Sequence, residues 1–111
     1  TNFPQKSKTF IVGDMKELGD ETPKIHYNMG STLLKATNLH SVIGVGDHIK
    51  ETISYINKHR PQIKTKIFNN TEELIKNGIL EKTTSDIIYS KASNAMNFKL
   101  LVDYINKKNR I

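Results

Sequence analysis

Four side chains near the start of the sequence have types and spacing that could bind a metal ion or an ammonium group. Asp14, Glu17 and Glu21 follow one another closely, and His26 comes a few residues later. Carboxylate oxygens are the ligands that Mg²⁺ prefers, and a histidine can act as a general base or donate a hydrogen bond to a carboxylate. Other roles are open as well: Asp14 could cap or brace the loop, His26 could be a structural or an exposed histidine, and the two glutamates could be solvated.

A second group of this kind lies at Lys91-Ala92-Ser93-Asn94, near the end of the sequence. Backbone N–H groups at the start of a following helix would suit an anion, and Lys91 would add a positive charge there. The alternative is that Ser93 or Asn94 only caps that helix.

Each group follows a short apolar run that predicts a β-strand. The first run, Phe10 to Val12, stops at Gly13, which permits a sharp exit from a strand. Thr22 is then suited to cap a helix, with Pro23 in its first position. In open α/β sheets ligands bind at the carboxyl ends of the strands, so we expect both groups to lie at that edge.

The rest of the sequence repeats the alternation of strand and helix. Further strands are predicted at 41–45, 64–68 and 86–89. Four such units, with mostly uninterrupted apolar strands, predict a three-layer, Rossmann-like α/β domain. Its sheet would be mostly parallel and covered by helices on both faces.

The helices between these strands carry recognisable boundary signals. Asp47 is suited to cap the helix after the second strand, and three isoleucines mark the buried face of that helix: Ile49, Ile53 and Ile56. Asn70 and Glu73 resemble a capping box for a short helix that ends near Gly78. A last helix would direct four apolar side chains to the core: Phe98, Leu101, Val102 and Ile105.

Composition bounds the class of protein. The 111 residues are enough for one domain, and no cysteine is present for disulfides or thiolate metal sites. The first residues lack the apolar segment of a signal peptide, so we expect a cytoplasmic protein with no membrane contact.

Five basic residues against one acid from Lys91 onward account for +4 of the net charge of +6. Because cations also complement a helix C-terminus and no aromatic residues are interleaved with them, we favour no nucleic-acid binding.

Two weaker patterns are discounted. Gly44-Val45-Gly46-Asp47 lacks the third glycine of a dinucleotide fingerprint, since Ile49 stands where it would fall. His40, His48 and His59 belong to different units, so no histidine metal site is predicted.

A pattern of residues around the acidic loop is shared with a known family. The positions are Gly13, Asp14, Met15, Glu17, Leu18, Gly19, Glu21, His26 and Gly30. This pattern resembles the start of the C-terminal domain of the Mur ligases, in particular the type that adds D-alanyl-D-alanine to UDP-muramoyl-tripeptide. These ligases also have a Lys-Gly-Ser motif, usually followed by Arg, where Lys91, Ser93 and Met96 match. Ala92 replaces the glycine of that motif and Asn94 replaces the arginine.

The resemblance runs from about Lys8 to Ile105 and implies a domain at 8–111 preceded by a linker at 1–7. It implies a bacterial ligase of peptidoglycan precursors that depends on ATP and Mg²⁺ and acts through an acyl phosphate. The domain would bring D-alanyl-D-alanine and close the active site. Its implied substrate-binding residues are Asp14, Glu17, Glu21, His26, Lys91, Ser93 and Asn94, with no catalytic residue and no metal ligand assigned.

The same resemblance implies a division of labour. The sequence has no GxxxxGK[ST] phosphate loop. We therefore expect ATP, Mg²⁺ and the UDP-muramoyl-tripeptide to be bound mainly by preceding domains. We also expect this domain to be inactive alone. The alternative is a free-standing α/β binding or interaction module that kept the fold and lost the chemistry.

Overall fold

The predicted alternation of strands and helices is present in a computed structural model of the chain, which describes residues 6–15, 19–82, 85 and 87–91. Four strands form one sheet in the order β3-β2-β1-β4, and every neighbouring pair is parallel. The strands are β1 (Lys8–Gly13), β2 (Leu39–Val45), β3 (Lys64–Phe68) and β4 (Ile87–Lys91). The predicted α/β class with a parallel sheet is therefore confirmed.

Four helices connect these strands in the described part of the chain. They are α1 (Thr22–Leu33), α2 (Lys50–His59), α3 (Thr71–Asn77) and α4 (Ile79–Lys82), and a short 3₁₀ turn at Gly19–Glu21 precedes α1. The sequence did not predict α4, which has only four residues. The predicted last helix lies outside the described residues. None of the described helices is both long and apolar enough to span a membrane.

Buried side chains form two apolar layers, one on each face of the sheet. The first layer joins Val12 and Val42 to Ile49, just before α2, and to Ile53 and Ile56 of α2, as the predicted isoleucine face requires. The second layer joins the alternate strand residues to α3 and α4: Ile11, Ile43, Val45, Phe68, Leu74 and Leu80. Because successive strand residues point to opposite faces, this division places helices on both sides, as predicted.

Both predicted boundaries of α3 are confirmed, whereas the predicted cap of α1 is wrong. The Asn70 side chain accepts a hydrogen bond from the Glu73 N–H at 2.8 Å, and Gly78 ends α3 with a left-handed φ of 78°. Thr22, however, does not cap α1: it is already helical, and Glu21 precedes it without a side-chain cap. Because the 3₁₀ turn at Gly19–Glu21 starts the helical backbone one turn before α1, Thr22 does not have the extended conformation that a capping residue needs.

Lys8 is a buried charge that was not expected from the sequence. It has no exposed surface, and its Nζ donates to the backbone carbonyls of Lys6 at 3.0 Å and Thr37 at 2.6 Å. A buried ammonium group needs such acceptors to replace its lost hydration. Lys8 thereby fastens the segment before β1 to the turn that leads into β2.

Gly30 allows α1 and α2 to approach closely, and we expect its replacement to destabilise the domain. A Cβ at this position would lie 2.7 Å from the Cβ of Tyr55, so Gly30→Ala must push the two helices apart. Overpacking of this kind costs about 1–3 kcal/mol, against about 1 kcal/mol gained in helix propensity. Urea denaturation should show a net loss of up to about 2 kcal/mol. Ser31→Ala, at the next, exposed position, is the matched control and should be neutral or stabilising; equal effects of the two would contradict the close packing.

Candidate functional site

The carboxyl edge of the sheet brings together residues that are distant in sequence. Asp14 follows the end of β1, and the turn 46–49 follows the end of β2, which pairs with β1 up to Gly13 and Val45. On the other side of β1, the backbone of Lys91 pairs with Val12. The structure thus places Asp14 and the Lys91 backbone at the same edge, as the strand pattern predicted.

Asp14 is buried, with 1% of its surface exposed, and its carboxylate accepts hydrogen bonds from three consecutive backbone N–H groups. Oδ2 accepts from Asp47 at 3.0 Å and His48 at 3.1 Å, and Oδ1 accepts from Ile49 at 2.8 Å. These N–H groups precede the first turn of α2 and have no helical acceptor of their own. Asp14 therefore caps α2 from another strand and binds β1 to the start of that helix.

This geometry corrects the predicted cap of α2. Asp47 does not cap the helix with its own side chain. The capping position before α2 is occupied by Ile49, whose side chain forms no capping hydrogen bond. Asp47 is instead exposed and forms a surface ion pair of 3.1 Å with Lys50. The buried carboxylate of Asp14 already occupies the position in front of the N–H groups, so a second carboxylate is not needed there.

Gly46 makes room for the Asp14 carboxylate. Its φ of 119° is unfavourable for any residue with a side chain, and a Cβ would lie 2.5 Å from the Asp14 carboxyl carbon. Its N–H donates to the carbonyl of Phe68 at 2.8 Å, which ties the turn to the end of β3. The glycine that first resembled part of a dinucleotide fingerprint has this local role.

His26 fastens the other side of the loop after β1. It is fully buried, and its Nε2 accepts a hydrogen bond from the Met15 N–H at 3.0 Å. Its Nδ1 lies 2.7 Å from the carbonyl of Thr22, an acceptor, so Nδ1 carries the proton and donates. Both ring nitrogens are thus used inside the fold, which matches the structural role considered for this residue.

The backbone of His26 is also held by α2. The Thr52 hydroxyl donates to the His26 carbonyl at 2.5 Å, and the imidazole ring lies 5.7 Å from the ring of His48. Asp14 and His26 therefore position the same short segment from two sides, one through the start of α2 and the other through α1. The result is a rigid frame around the point where the acidic loop leaves the sheet.

The other predicted site residues have different outcomes. Glu21 is exposed at the start of α1, near the carboxyl edge. The side chain of Lys91 and the residues Glu17, Ser93 and Asn94 lie outside the described part of the structure. That any of the seven residues contacts a substrate stays a prediction.

Two exposed residues at this edge were not proposed as site residues from the sequence. Asp47 and His48 form the turn held by Asp14 and face solvent. Their side chains project from a backbone that is fixed from below, which suits contact with a ligand. Only the pairing of β1 with β2 reveals that they stand beside the acidic loop. Across the described ranges, no three His, Asp or Glu side chains are grouped closely enough to hold a metal ion.

Comparison with known proteins identifies a solved structure with the same fold. The structure of MurF from Acinetobacter baumannii superimposes with a TM-score of 0.66 and 21% sequence identity, over 89% of this chain and 22% of the MurF chain. This chain therefore has the fold of a part of that protein and spans about a fifth of its length. No protein-family model matches the sequence, and the comparison with curated proteins finds no match.

The likeness confirms the resemblance inferred from the sequence at the level of the fold. The residue pattern from Gly13 to Gly30 resembles the C-terminal domain of the Mur ligases, and the whole fold superimposes on a part of MurF. The fold class is a Rossmann-like α/β domain with a parallel sheet, and hydrogen bonds hold the loop at the carboxyl edge of that sheet.

Proposed function

We propose that this chain is the C-terminal domain of a cytoplasmic, bacterial ligase that adds D-alanyl-D-alanine to UDP-muramoyl-tripeptide. In this proposal residues 8–111 form the domain and residues 1–7 link it to a preceding ATP-binding domain. The observation that carries it is the structural likeness to MurF, which covers nearly all of this chain and only 22% of MurF. That ratio is what a single domain of a larger ligase would give.

The frame around Asp14 and His26 supports a role in positioning substrate. A domain that closes over an active site must present its loops in a fixed geometry, because small displacements of reacting groups are costly. Asp14 holds the turn 46–49, and His26 holds the loop at Met15. Exposed groups on these two segments can then contact the incoming dipeptide while their backbones stay fixed.

We propose that ATP and Mg²⁺ have their main binding site outside this chain. The sequence has no phosphate loop, and the described residues include no group of three carboxylate or histidine ligands. In the proposed enzyme both are bound mainly by the preceding domains, as is the UDP-muramoyl-tripeptide. The domain alone would then form no amide bond.

Titration with D-alanyl-D-alanine tests the proposal. In ¹H–¹⁵N spectra of the chain, we expect the first shifts at residues 14–26, 46–49 or 91–96, because Asp14, the turn 46–49 and the Lys91 backbone lie at the carboxyl edge of the sheet, where ligands bind in open α/β sheets. L-alanyl-L-alanine is the matched control ligand and should produce smaller shifts at the same concentration. Shifts confined to the opposite end of the sheet, or equal responses to both dipeptides, would contradict the proposed substrate.

A second candidate function is a free-standing binding module without ligase activity. It is favoured by the internal use of Asp14 and His26, whose polar atoms bond to the backbone of the fold, and by Ala92 and Asn94, which depart from the ligase motif. The gene separates the two candidates. An upstream reading frame continuous with this one and containing a phosphate loop would support the ligase, and its absence would support the module.

A further inference from the structure

A concave groove lies on the sheet face opposite α1 and α2, away from the carboxyl edge. Its volume is about 480 Å³, and the described residues that line it come from the first halves of β2 and β3 and from α4. They are His40, Ser41, Val42, Ile43, Lys64, Thr65, Lys66, Ile79 and Lys82. Small-molecule sites in proteins usually have volumes of this order.

The groove has an apolar part and charged side chains that are all positive in the described lining. Lys64 and Lys66 are two residues apart on β3 and so project to the same face, beside Ser41 and Ile43, their partners on β2. Lys82 adds a third ammonium group from α4, near Ile79. The described lining includes no carboxylate. A cleft lined by charges of one sign concentrates the field and attracts counter-ions.

The three ammonium groups are also unpaired within the described structure. Among the described residues, no carboxylate lies within ion-pair distance of Lys64, Lys66 or Lys82, and no group accepts a hydrogen bond from their ammonium groups. Lys50, elsewhere on the surface, does form an ion pair, with Asp47. Lysines on an outer strand also discourage sheet-to-sheet association. Preventing association requires only the two strand lysines. This groove has in addition a third lysine, from a helix, and an apolar part between the lysines.

We propose that this groove binds a small organic anion that carries a phosphate group and an apolar or aromatic part. The phosphate would lie among Lys64, Lys66 and Lys82, and the apolar part would contact Ile79, which is partly exposed, beside the buried Ile43. The concave shape favours a small molecule over an extended polymer. The described lining also contains no Phe, Tyr or Trp side chain on which nucleic-acid bases could stack. The site is separate from the carboxyl edge, because it is built from the opposite ends of the strands.

The test uses 1-naphthyl phosphate as the probe, added to the ¹⁵N-labelled chain at constant ionic strength. We expect saturable shifts at Ile43, Lys66 and Ile79, with a Kd of about 1 mM or lower. The neutral compound 1-naphthol and inorganic phosphate each supply one half of the interaction. Both should bind at least about tenfold more weakly than the probe.

Two double variants of equal charge separate this site from general attraction to a basic protein. Lys64→Gln with Lys66→Gln should weaken binding of the probe about tenfold or more. Lys35→Gln with Lys58→Gln, at exposed positions away from the groove, should change it by less than about twofold. Shifts outside the groove, equal weakening by both pairs, or no saturation at about 10 mM probe would overturn the proposal. Binding of single-stranded RNA at the same lysines more tightly than the probe would overturn it too.

Discussion

Replacement of Asp14 by alanine should destabilise the domain by about 3 kcal/mol or more, because the change leaves three backbone N–H groups without their acceptor. The carboxylate is 1% exposed and is the shared partner of the Asp47, His48 and Ile49 N–H groups. An unsatisfied buried donor costs about 1–3 kcal/mol, with hydrogen bonds to charged groups at the upper end. Loss of a helix cap alone costs about 1 kcal/mol.

Urea denaturation of the chain measures this loss, and Asp47→Ala is the matched control. Asp47 is an aspartate in the same turn, but its side chain is 81% exposed and, among the described residues, pairs with Lys50 on the surface. Its replacement should change the free energy of unfolding by no more than about 0.5 kcal/mol. Asp14→Asn keeps one carbonyl oxygen and should fall between the two.

Hydrogen exchange shows whether the loss arises at the expected place. In Asp14→Ala, the amides of residues 47–49 should exchange faster than in the wild type, beyond what the lower global stability explains. The amide of Glu73, which Asn70 caps independently, provides an internal reference. If Asp14→Ala were as stable as Asp47→Ala, the carboxylate would not be the cap of α2.

In the complete ligase proposed above, Lys91→Ala should lower turnover by roughly a hundredfold or more. The backbone of Lys91 pairs with Val12, beside the point where Asp14 leaves β1. A cation aimed at charge that develops in the transition state can contribute several kcal/mol in a closed, water-poor site, whereas an exposed surface ion pair contributes about 1 kcal/mol or less. The expected loss is therefore much larger than a surface lysine would give.

Steady-state turnover, with the melting temperature of each variant as a companion measurement, distinguishes the two roles. Lys76→Ala, an exposed lysine on α3, is the control and should leave both quantities nearly unchanged. Lys91→Arg should keep more activity than Lys91→Ala, because the charge is retained. Turnover within about threefold of wild type for Lys91→Ala, a loss of under 1 kcal/mol, would show that Lys91 is not part of the ligase site.

The two largest predictions concern different kinds of residue at one edge of the sheet. Asp14 acts on the protein itself, and its loss would change stability first. Lys91 is proposed to act on the substrate, and its loss would change rate with little effect on stability. Measuring both quantities for both variants therefore tests whether positioning and chemistry are divided between them.

The sequence by itself determined the features that depend on neighbours along the chain. The alternation of apolar runs and helical patterns defined the strands and their parallel arrangement. Asn70 and Gly78 defined the limits of α3, because a capping side chain and a left-handed glycine act within a few residues. Ile49, Ile53 and Ile56, before and within α2, were recognisable from helical spacing alone and are all buried. The carboxyl edge was likewise predictable, because both candidate groups follow predicted strands of a parallel sheet.

Only the tertiary structure decided which polar groups meet at that edge. Asp14 caps a helix that begins more than thirty residues later, and Gly46 accommodates it. Both ring nitrogens of His26 form hydrogen bonds, with Met15 and Thr22, and the buried Lys8 donates to Thr37. Each of these side chains could equally have faced solvent, since residue type and local spacing do not specify a partner across a sheet. The partner is fixed when β1 and β2 pair in register, because that pairing removes water from the edge and leaves buried N–H and C=O groups that these side chains must satisfy.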